Sequence, residues 1–226
     1  MKYDAIIFDL FGTLVNNPSY QEYQQLLSQM AFILTLPSEK FSHLWIETSR
    51  KRATGVFKNT QENLRHISNT LQVNVKEDQI NKVLELRLYF TRKDLKPKSG
   101  AIETLSKLKK IGFKIGLISN CSAEVPMLWE TIPFAKIIDV SIFSSSVGLK
   151  KPNPKIYKLT CNQLDVQPQN CLYIGDGDSH ELSGASQVGM HPIMIRDPHQ
   201  KDAYYIDEEE WNGLKISSLK EIFDFL

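Results

Sequence analysis

The chain has 226 residues, of which 42% are hydrophobic and 23% are charged, and its formal net charge at pH 7 is +1. This length allows one large domain or a core with an insertion. So small a charge excludes a strong field toward nucleic acid or anionic membrane, and no apolar run approaches the roughly 20 residues that cross a bilayer. The three cysteines, Cys121, Cys161 and Cys171, have no metal-site spacing and cannot all pair internally, which indicates a reducing, cytoplasmic location.

The first predicted element is a strand that ends on an acid. The apolar run in YDAIIFDLFGTLV stops at Asp9, and Gly12 and Thr13 follow at once. Gly12 permits a tight turn close to a ligand, and Thr13 can steady that turn with a hydrogen bond. A carboxylate in this place can attack an electrophile and form a covalent intermediate, although an aspartate at a strand end also commonly caps a turn.

Residues 16–97 are predicted to be helical. Apolar residues recur at spacings of three and four in stretches beginning near residues 19, 38, 60 and 76, and Ser38 is a plausible N-cap. This pattern predicts a small bundle of four helices. The segment has a net charge of +4, densest at residues 50–52, which suits an anionic substrate.

From about residue 98 the chain alternates between helices and strands. A helix ending on Gly112 is followed by predicted strands at residues 113–119, 140–145, 170–176 and 191–196, with helices between them and a closing helix at the end. Alternation of this kind predicts a Rossmann-like parallel sheet with helices on both faces, which the first strand joins. The predicted α/β core is therefore discontinuous, formed by residues 1–15 and 98–226, and residues 16–97 are an inserted helical cap.

Polar residues follow three of the predicted strands. Asp9, Ser119 and Asp176 should meet at the carboxyl edge of the sheet, where ligands of such folds bind. Ser119 and its neighbour Asn120 can contact an anionic ligand, although serine is common at strand ends. Lys151 can keep nearby carboxylates ionised and neutralise an incoming anion, although a solvated surface lysine is the ordinary alternative.

The last group of candidate residues is acidic. The stretch YIGDGDSHEL places Asp176, Asp178 and Glu181 after a predicted strand, and hard oxygen ligands of this kind suit Mg²⁺. A dinucleotide-binding fingerprint fits poorly, because His180 stands where the third glycine is needed.

With its four motifs in order, the chain resembles the haloacid dehalogenase superfamily, in the branch whose helical cap is inserted after the first motif. The motifs are residues 9–13, Ser119, Lys151-Pro152, and Gly175-Asp176 with Glu181, and the resemblance covers the whole chain. It implies that Asp9 is the nucleophile, and that Ser119 and Lys151 hold the oxygens of the transferred group.

The same resemblance implies a Mg²⁺ ion held by Asp9, the main-chain carbonyl of Phe11 and Asp176. Asp178 or Glu181 would then hold waters bound to the metal. Gly12, Thr13 and Asn120 complete the predicted contacts with substrate.

Phe11 departs from the phosphatase pattern. Phosphatases of the family normally have an aspartate there, which protonates the leaving group and activates water, and phenylalanine can do neither. The dehalogenases of the family place an aromatic residue at this position and work without metal. The acids around Asp176 favour a bound cation, because without one they and Asp9 would repel each other and the pKa of at least one of these carboxyl groups would rise.

We therefore expect a Mg²⁺-dependent phosphatase of a small phosphorylated metabolite that acts through an aspartyl-phosphate. Two alternatives stay open: a metal-free hydrolase of 2-halo acids with Asp9 as nucleophile, and a weak or inactive regulatory module. The expected partner is a small anion, neither nucleic acid nor membrane. The residues of the cap that contact this anion and the oligomeric state stay open.

Overall fold

Six parallel strands form one sheet in a computed structural model, which describes residues 2–197 and 207–226. The strands are β1 (Ala5–Phe8), β2 (Lys114–Ser119), β3 (Val140–Phe143), β4 (Cys171–Gly175), β5 (His191–Ile195) and β6 (Lys215–Ile216). Their order across the sheet is β3-β2-β1-β4-β5-β6. The chain order therefore reverses around β1, and ligands of such sheets bind at a reversal of this kind.

Ten α-helices are present in the described residues. They are α1 (Tyr20–Ile33), α2 (Ser38–Glu47), α3 (Ser49–Ala53), α4 (Thr60–Thr70), α5 (Glu77–Asp94), α6 (Ala101–Ile111), α7 (Glu124–Leu128), α8 (Ser144–Val147), α9 (Pro154–Leu164) and α10 (Glu181–Gln187). Helix α6 ends as predicted, because Gly112 adopts a left-handed conformation with φ 108°. In the described ranges 2–197 and 207–226, no helix is both long and apolar enough to span a membrane.

The sheet is buried on both faces. Successive side chains of a strand point to opposite faces, and in β1 Ile6 and Phe8 join one hydrophobic cluster while Ile7 joins the other. Leu105 of α6 belongs to the first cluster and Ile156 of α9 belongs to the second. The predicted class, a Rossmann-like α/β core with helices on both faces, is confirmed.

The five helices between residues 20 and 94 are called the helical segment below, and four of them, α1, α2, α4 and α5, share a hydrophobic cluster of their own. Leu27, Met30, Trp45 and Leu64 are completely buried in it. The Trp45 indole Nε1 donates a hydrogen bond of 2.9 Å to the hydroxyl of Tyr23, so this partly polar side chain is satisfied inside the cluster. The domain boundaries at residues 15/16 and 97/98 stay a prediction.

Several elements differ from the sequence-based expectation. The single helix predicted from about residue 38 is divided at Thr48 into α2 and α3, so five helices are present where four were expected. The two-residue strand β6 is too short to show an alternation. Ser38 is the first residue of α2 and Pro37 occupies the N-cap, while the predicted closing helix, Leu219–Phe225, is a 3₁₀-helix.

Candidate active site

The three strand-end residues converge as predicted. Strand β1 lies between β2 and β4, with Phe8 in register with Leu117 and Ile174. Asp9 follows β1 and donates its main-chain N–H to the Ile174 carbonyl at 2.8 Å. Because the strands are parallel, the carboxyl ends of the three central strands bring Asp9, Ser119 and Asp176 to one edge of the sheet.

Gly12 allows the first loop to lie directly against Asp176. Its backbone is left-handed, with φ 77°, and a Cβ atom there would stand 1.9 Å from Asp176 Oδ2. Any side chain would therefore collide with the carboxylate as well as strain the backbone. Thr13 was expected to steady the loop with a hydrogen bond, and its main-chain N–H donates one to the Leu10 carbonyl at 3.3 Å, whereas its buried Oγ1 makes none within the described residues.

Lys151 links the first loop to helix α10. Its buried Nζ donates to Asp9 Oδ1 and, at 2.5 Å, to Glu181 Oε2. Glu181 also accepts hydrogen bonds from the Tyr173 hydroxyl at 2.8 Å and from the Gly177 N–H at 3.0 Å. With both its oxygens engaged, Glu181 orients Lys151, a contact that the sequence did not indicate. We call Asp9, Asp176, Glu181 and Lys151 the acid–lysine cluster.

Burial and neighbouring carboxylates raise the pKa values of Asp9 and Asp176. Burial raises the pKa of Asp9 to about 7, and the charge of Glu181 adds to that effect while Lys151 opposes it. Burial and the charges of Glu181 and Asp9 hold the pKa of Asp176 well above its ordinary value. For Lys151, burial disfavours the charge, but Asp9 and Glu181 outweigh burial and raise its pKa. The predicted repulsion between the acids is therefore confirmed.

The residues of the cluster fit a small divalent cation. One carboxylate oxygen from each of Asp9, Asp176 and Glu181 lies within 4.8 Å of the others. Asp9 Oδ2 is buried and accepts no hydrogen bond within the described residues. A buried carboxylate oxygen without a partner is costly, and a cation that binds hard oxygen ligands would satisfy it.

The other predicted residues lie around the cluster with different partners. Ser119 is completely buried, and its Oγ has no hydrogen-bond partner among the described residues. Asn120 exchanges two hydrogen bonds with the main chain of Lys151, at 2.8 and 3.2 Å, so its amide positions the lysine. Asp178 Oδ1 accepts the N–H of Asp207 at 2.8 Å.

Three residues that sequence reasoning missed also contact the site. Asn17 Nδ2 donates to Asp176 Oδ2 at 2.8 Å, and Arg196 Nε donates to the Asp176 carbonyl at 2.9 Å. Lys98 Nζ donates to the Gly12 carbonyl. Burial lowers the pKa of Lys98, although the charge of Asp176 opposes this. No motif marks these residues, because each reaches the site only through the way distant segments pack.

Two neighbouring cavities open at this edge. The site cavity, about 40 Å³, is lined by the acid–lysine cluster together with Phe11, Asn17, Asn120 and Asp178. The helical cavity, about 220 Å³, lies between the sheet edge and the helical segment. Phe11 lines both cavities and also packs against the core, so its phenyl ring is a wall shared by the two spaces.

The acid–lysine cluster lies at the carboxyl edge of the parallel sheet, which is where α/β folds of this class place their ligand sites. A family model described as haloacid dehalogenase-like hydrolase matches residues 3–189. The chain belongs to this family of hydrolases, as its four motifs indicated.

The relatives include two kinds of enzyme. A glyceraldehyde 3-phosphate phosphatase of Methanopyrus kandleri is 29% identical over 133 residues, which are 58% of this chain and 56% of that protein, so the match spans little more than half of the relative. An (S)-2-haloacid dehalogenase 4A of Burkholderia cepacia is 26% identical over 98% of this chain and 94% of its own length. The chain is similar to both without being identified with either.

A solved structure agrees with the fold. The HAD phosphatase from Thermococcus onnurineus superposes with a TM-score of 0.68 at 20% identity, covering 98% of this chain and 97% of that chain. At this identity the likeness concerns the arrangement of strands and helices alone.

Proposed function

We propose that this protein is a Mg²⁺-dependent phosphatase that transfers the phosphoryl group of a small metabolite to Asp9 and then to water. One observation carries the proposal: oxygens of three buried carboxylates lie within 4.8 Å of one another, Lys151 pairs with only two of these groups, and one oxygen of Asp9 has no hydrogen-bond partner within the described residues. So much negative charge around one ammonium group suits a site that works with a cation.

In the proposed reaction, a carboxylate oxygen of Asp9 attacks phosphorus, and the bond from phosphorus to the leaving oxygen breaks. The leaving oxygen takes a proton from water, and a second water then hydrolyses the aspartyl-phosphate and regenerates Asp9. Lys151, oriented by Glu181 and Asn120, offsets the charge of the phosphoryl oxygens, and the buried hydroxyl of Ser119 is the proposed donor to one of them.

Asp9, Asp176 and the Phe11 carbonyl are the proposed ligands of Mg²⁺, and Asp178 is the proposed partner of its waters. When bound, the ion would neutralise part of the charge on the carboxylates and on the phosphoryl group. Lys98 and Asn17 hold the Gly12 loop and Asp176 in place for this.

The test is hydrolysis of 4-nitrophenyl phosphate by the purified protein. We expect phosphate release with Mg²⁺ and none with EDTA, and we expect Asp9→Asn to abolish it. Asp165→Asn is the matched control, because this exposed aspartate lies at the C-cap of α9, with a φ of 53° that asparagine accepts. Equal rates with and without the metal would refute the proposal.

A metal-free hydrolase of 2-halo acids is the second candidate. The observation that favours it is the phenyl ring of Phe11 on the wall of both cavities, since a departing halide needs no proton from that position. Chloride release from (S)-2-chloropropionate in EDTA would support it. Any turnover that Asp9→Asn abolishes would exclude the inactive regulatory module.

A further inference from the structure

The helical cavity adjoins the site cavity and differs from it in charge. The two share Phe11, Asn17, Asn120 and Asp178 as lining residues, so a molecule reacting at Asp9 would extend past Phe11 into the larger space. Its volume of about 220 Å³ is smaller than the roughly 300 Å³ at which pockets for drug-sized molecules begin. The rest of the substrate must therefore be short.

Arg52 is a buried cation on the wall of this cavity. Its side chain is 7% exposed, and its guanidinium lies 3.9 Å from the centre of the Trp45 ring. Nη1 donates to the Trp45 carbonyl at 2.6 Å and to Thr48 Oγ1 at 2.9 Å. These contacts fix the plane of the guanidinium. Among the described residues, Arg52 forms no ion pair with a carboxylate.

Arg87 lies on the same wall, and its charge is already matched. Its Nε donates to Glu124 Oε1 at 3.0 Å, and Thr60 donates to the same oxygen at 2.7 Å. Arg87 and Glu124 together are neutral, so the pair of arginines leaves one uncompensated positive charge, that of Arg52. Burial lowers the pKa of Arg52 to about 10, Tyr23 and the charge of Glu124 oppose this, and the charge of Arg87 adds to it, so Arg52 still carries its proton at neutral pH.

Two further acids border the cavity. Asp94 is half-buried, and burial raises its pKa to about 7, so it only partly offsets Arg52 near neutral pH. Asp178 lies at the opposite side, toward the site cavity, where its Oδ1 accepts the N–H of Asp207. Neither acid forms an ion pair with Arg52, so Arg52 is, within the described part of the chain, an arginine of the cavity lining without a carboxylate partner.

We propose that Arg52, supported by Arg87, binds a carboxylate of the substrate, so that the substrate class is a short phosphorylated carboxylic acid. One uncompensated charge matches a singly charged carboxylate better than a second phosphate, and a fixed planar guanidinium suits the two oxygens of a carboxylate. The phosphoryl part of this assignment rests on the proposed function, whereas the carboxylate part does not.

The test compares two unreactive ligands of the same length. Phosphonoacetate carries a phosphonate and a carboxylate, and ethylphosphonate replaces the carboxylate by a methyl group. By titration calorimetry with Mg²⁺ we expect the wild type to bind phosphonoacetate about 10- to 100-fold more tightly, the usual effect of a charge-assisted contact. The Arg52→Gln variant should lose this preference, and Arg52→Lys should keep part of it, because it keeps the charge without the planar group.

Arg50→Gln is the matched control, since it removes an exposed arginine from the same helix α3. It should keep the full preference. Circular dichroism establishes that each variant is folded, and if Arg52→Gln is unfolded, the comparison of the two ligands on wild type and Arg52→Lys decides. Equal binding of both ligands by the wild type would overturn the inference.

Methylenediphosphonate distinguishes the two sources of negative charge. If it binds more tightly than phosphonoacetate and depends equally on Arg52, the second group is a phosphate and the carboxylate assignment is wrong. Because these ligands are not hydrolysed, the result is independent of the 4-nitrophenyl phosphate assay. Failure of the phosphatase proposal and failure of this inference are therefore distinguishable.

Discussion

Phe11 combines a backbone that fits the phosphatase pattern with a side chain that does not. Its carbonyl is a proposed metal ligand whatever the side chain is, whereas the phenyl ring separates the site cavity from the helical cavity and packs on the core. The ring cannot give a proton to a leaving group. A substrate whose leaving oxygen is already a stable anion loses least from this absence.

Replacing this ring by an acid tests that reasoning. We expect Phe11→Asp to raise kcat by about 10²-fold for an alkyl phosphate, and by much less for 4-nitrophenyl phosphate, whose leaving group needs little protonation. Steady-state kinetics on both substrates measure the difference. Phe11→Leu is the control, because it opens the same wall without supplying an acid. An equal gain in both variants would mean that space and not proton transfer limits the rate.

At the scale of elements, α5 joins the helical segment to the sheet edge. Arg87 of this helix meets Glu124 of α7, and Thr60 at the start of α4 donates to the same carboxylate. Asp94 ends the helix, where a negative charge opposes the helix dipole, and burial raises the pKa of its carboxyl to about 7. The end of α5 therefore holds an acid that the fold favours in its neutral form.

This predicts a stability that depends on pH through Asp94. Because its folded pKa of about 7 exceeds the ordinary 3.8, the folded state binds the proton more tightly, and its contribution to stability is lost as pH rises between those values. The Tm of Asp94→Asn relative to wild type should therefore rise between about pH 5 and about pH 8, as differential scanning calorimetry would show.

The control for Asp94 lies on the same helix. Asp78→Asn changes an exposed aspartate in the first turn of α5, which forms an ion pair with Lys82 at 3.5 Å. Its Tm relative to wild type should stay constant over the same pH range. If the Tm difference between Asp94→Asn and the wild type also stayed constant over this pH range, Asp94 would not have the raised pKa on which the prediction rests.

How much of the fold the sequence predicted depends on the length and pattern of each element. Buried strands such as β2 and amphipathic helices such as α4 extend over enough residues for their apolar spacing to identify them. The break between α2 and α3 at Thr48 and the two-residue strand β6 show no such pattern, and tertiary packing defines them. The 3₁₀-helix at the end of the chain was predicted as a helix, but the spacing of its apolar residues does not distinguish a 3₁₀-helix from an α-helix.

Across the whole molecule, the sequence predicts those site residues that directly follow a strand. Asp9, Ser119 and Asp176 follow strands, and parallel strands end at one edge. Arg52 and Lys98 could not be found in this way, because they approach from outside the sheet through packing that no local pattern encodes. The sequence pattern therefore predicts the proposed reacting groups better than it predicts Arg52, the residue proposed to bind the substrate's carboxylate.

Assembling the acid–lysine cluster lowers the stability of the folded, metal-free protein. Burial and mutual repulsion raise the pKa values of Asp9 and Asp176. Without metal these carboxyl groups must either stay protonated or repel each other, and a bound cation would remove that penalty. A ligand that binds the folded state alone stabilises it by about 2.7 kcal/mol at 100 times its dissociation constant. For a chain of this size, that corresponds to a rise in Tm of about 5 to 10 °C.

We therefore expect saturating Mg²⁺ to raise the Tm of the wild type by this amount over its value in EDTA. Asp176→Asn should lose the rise, while its Tm in EDTA stays at or above that of the wild type, because one of three repelling carboxylates is gone. Asp165→Asn, the exposed control, should respond to Mg²⁺ as the wild type does. Thermal unfolding followed by circular dichroism measures all three proteins. A rise that survives in Asp176→Asn would place the ion elsewhere, since no cation could then depend on the carboxylate at the end of β4.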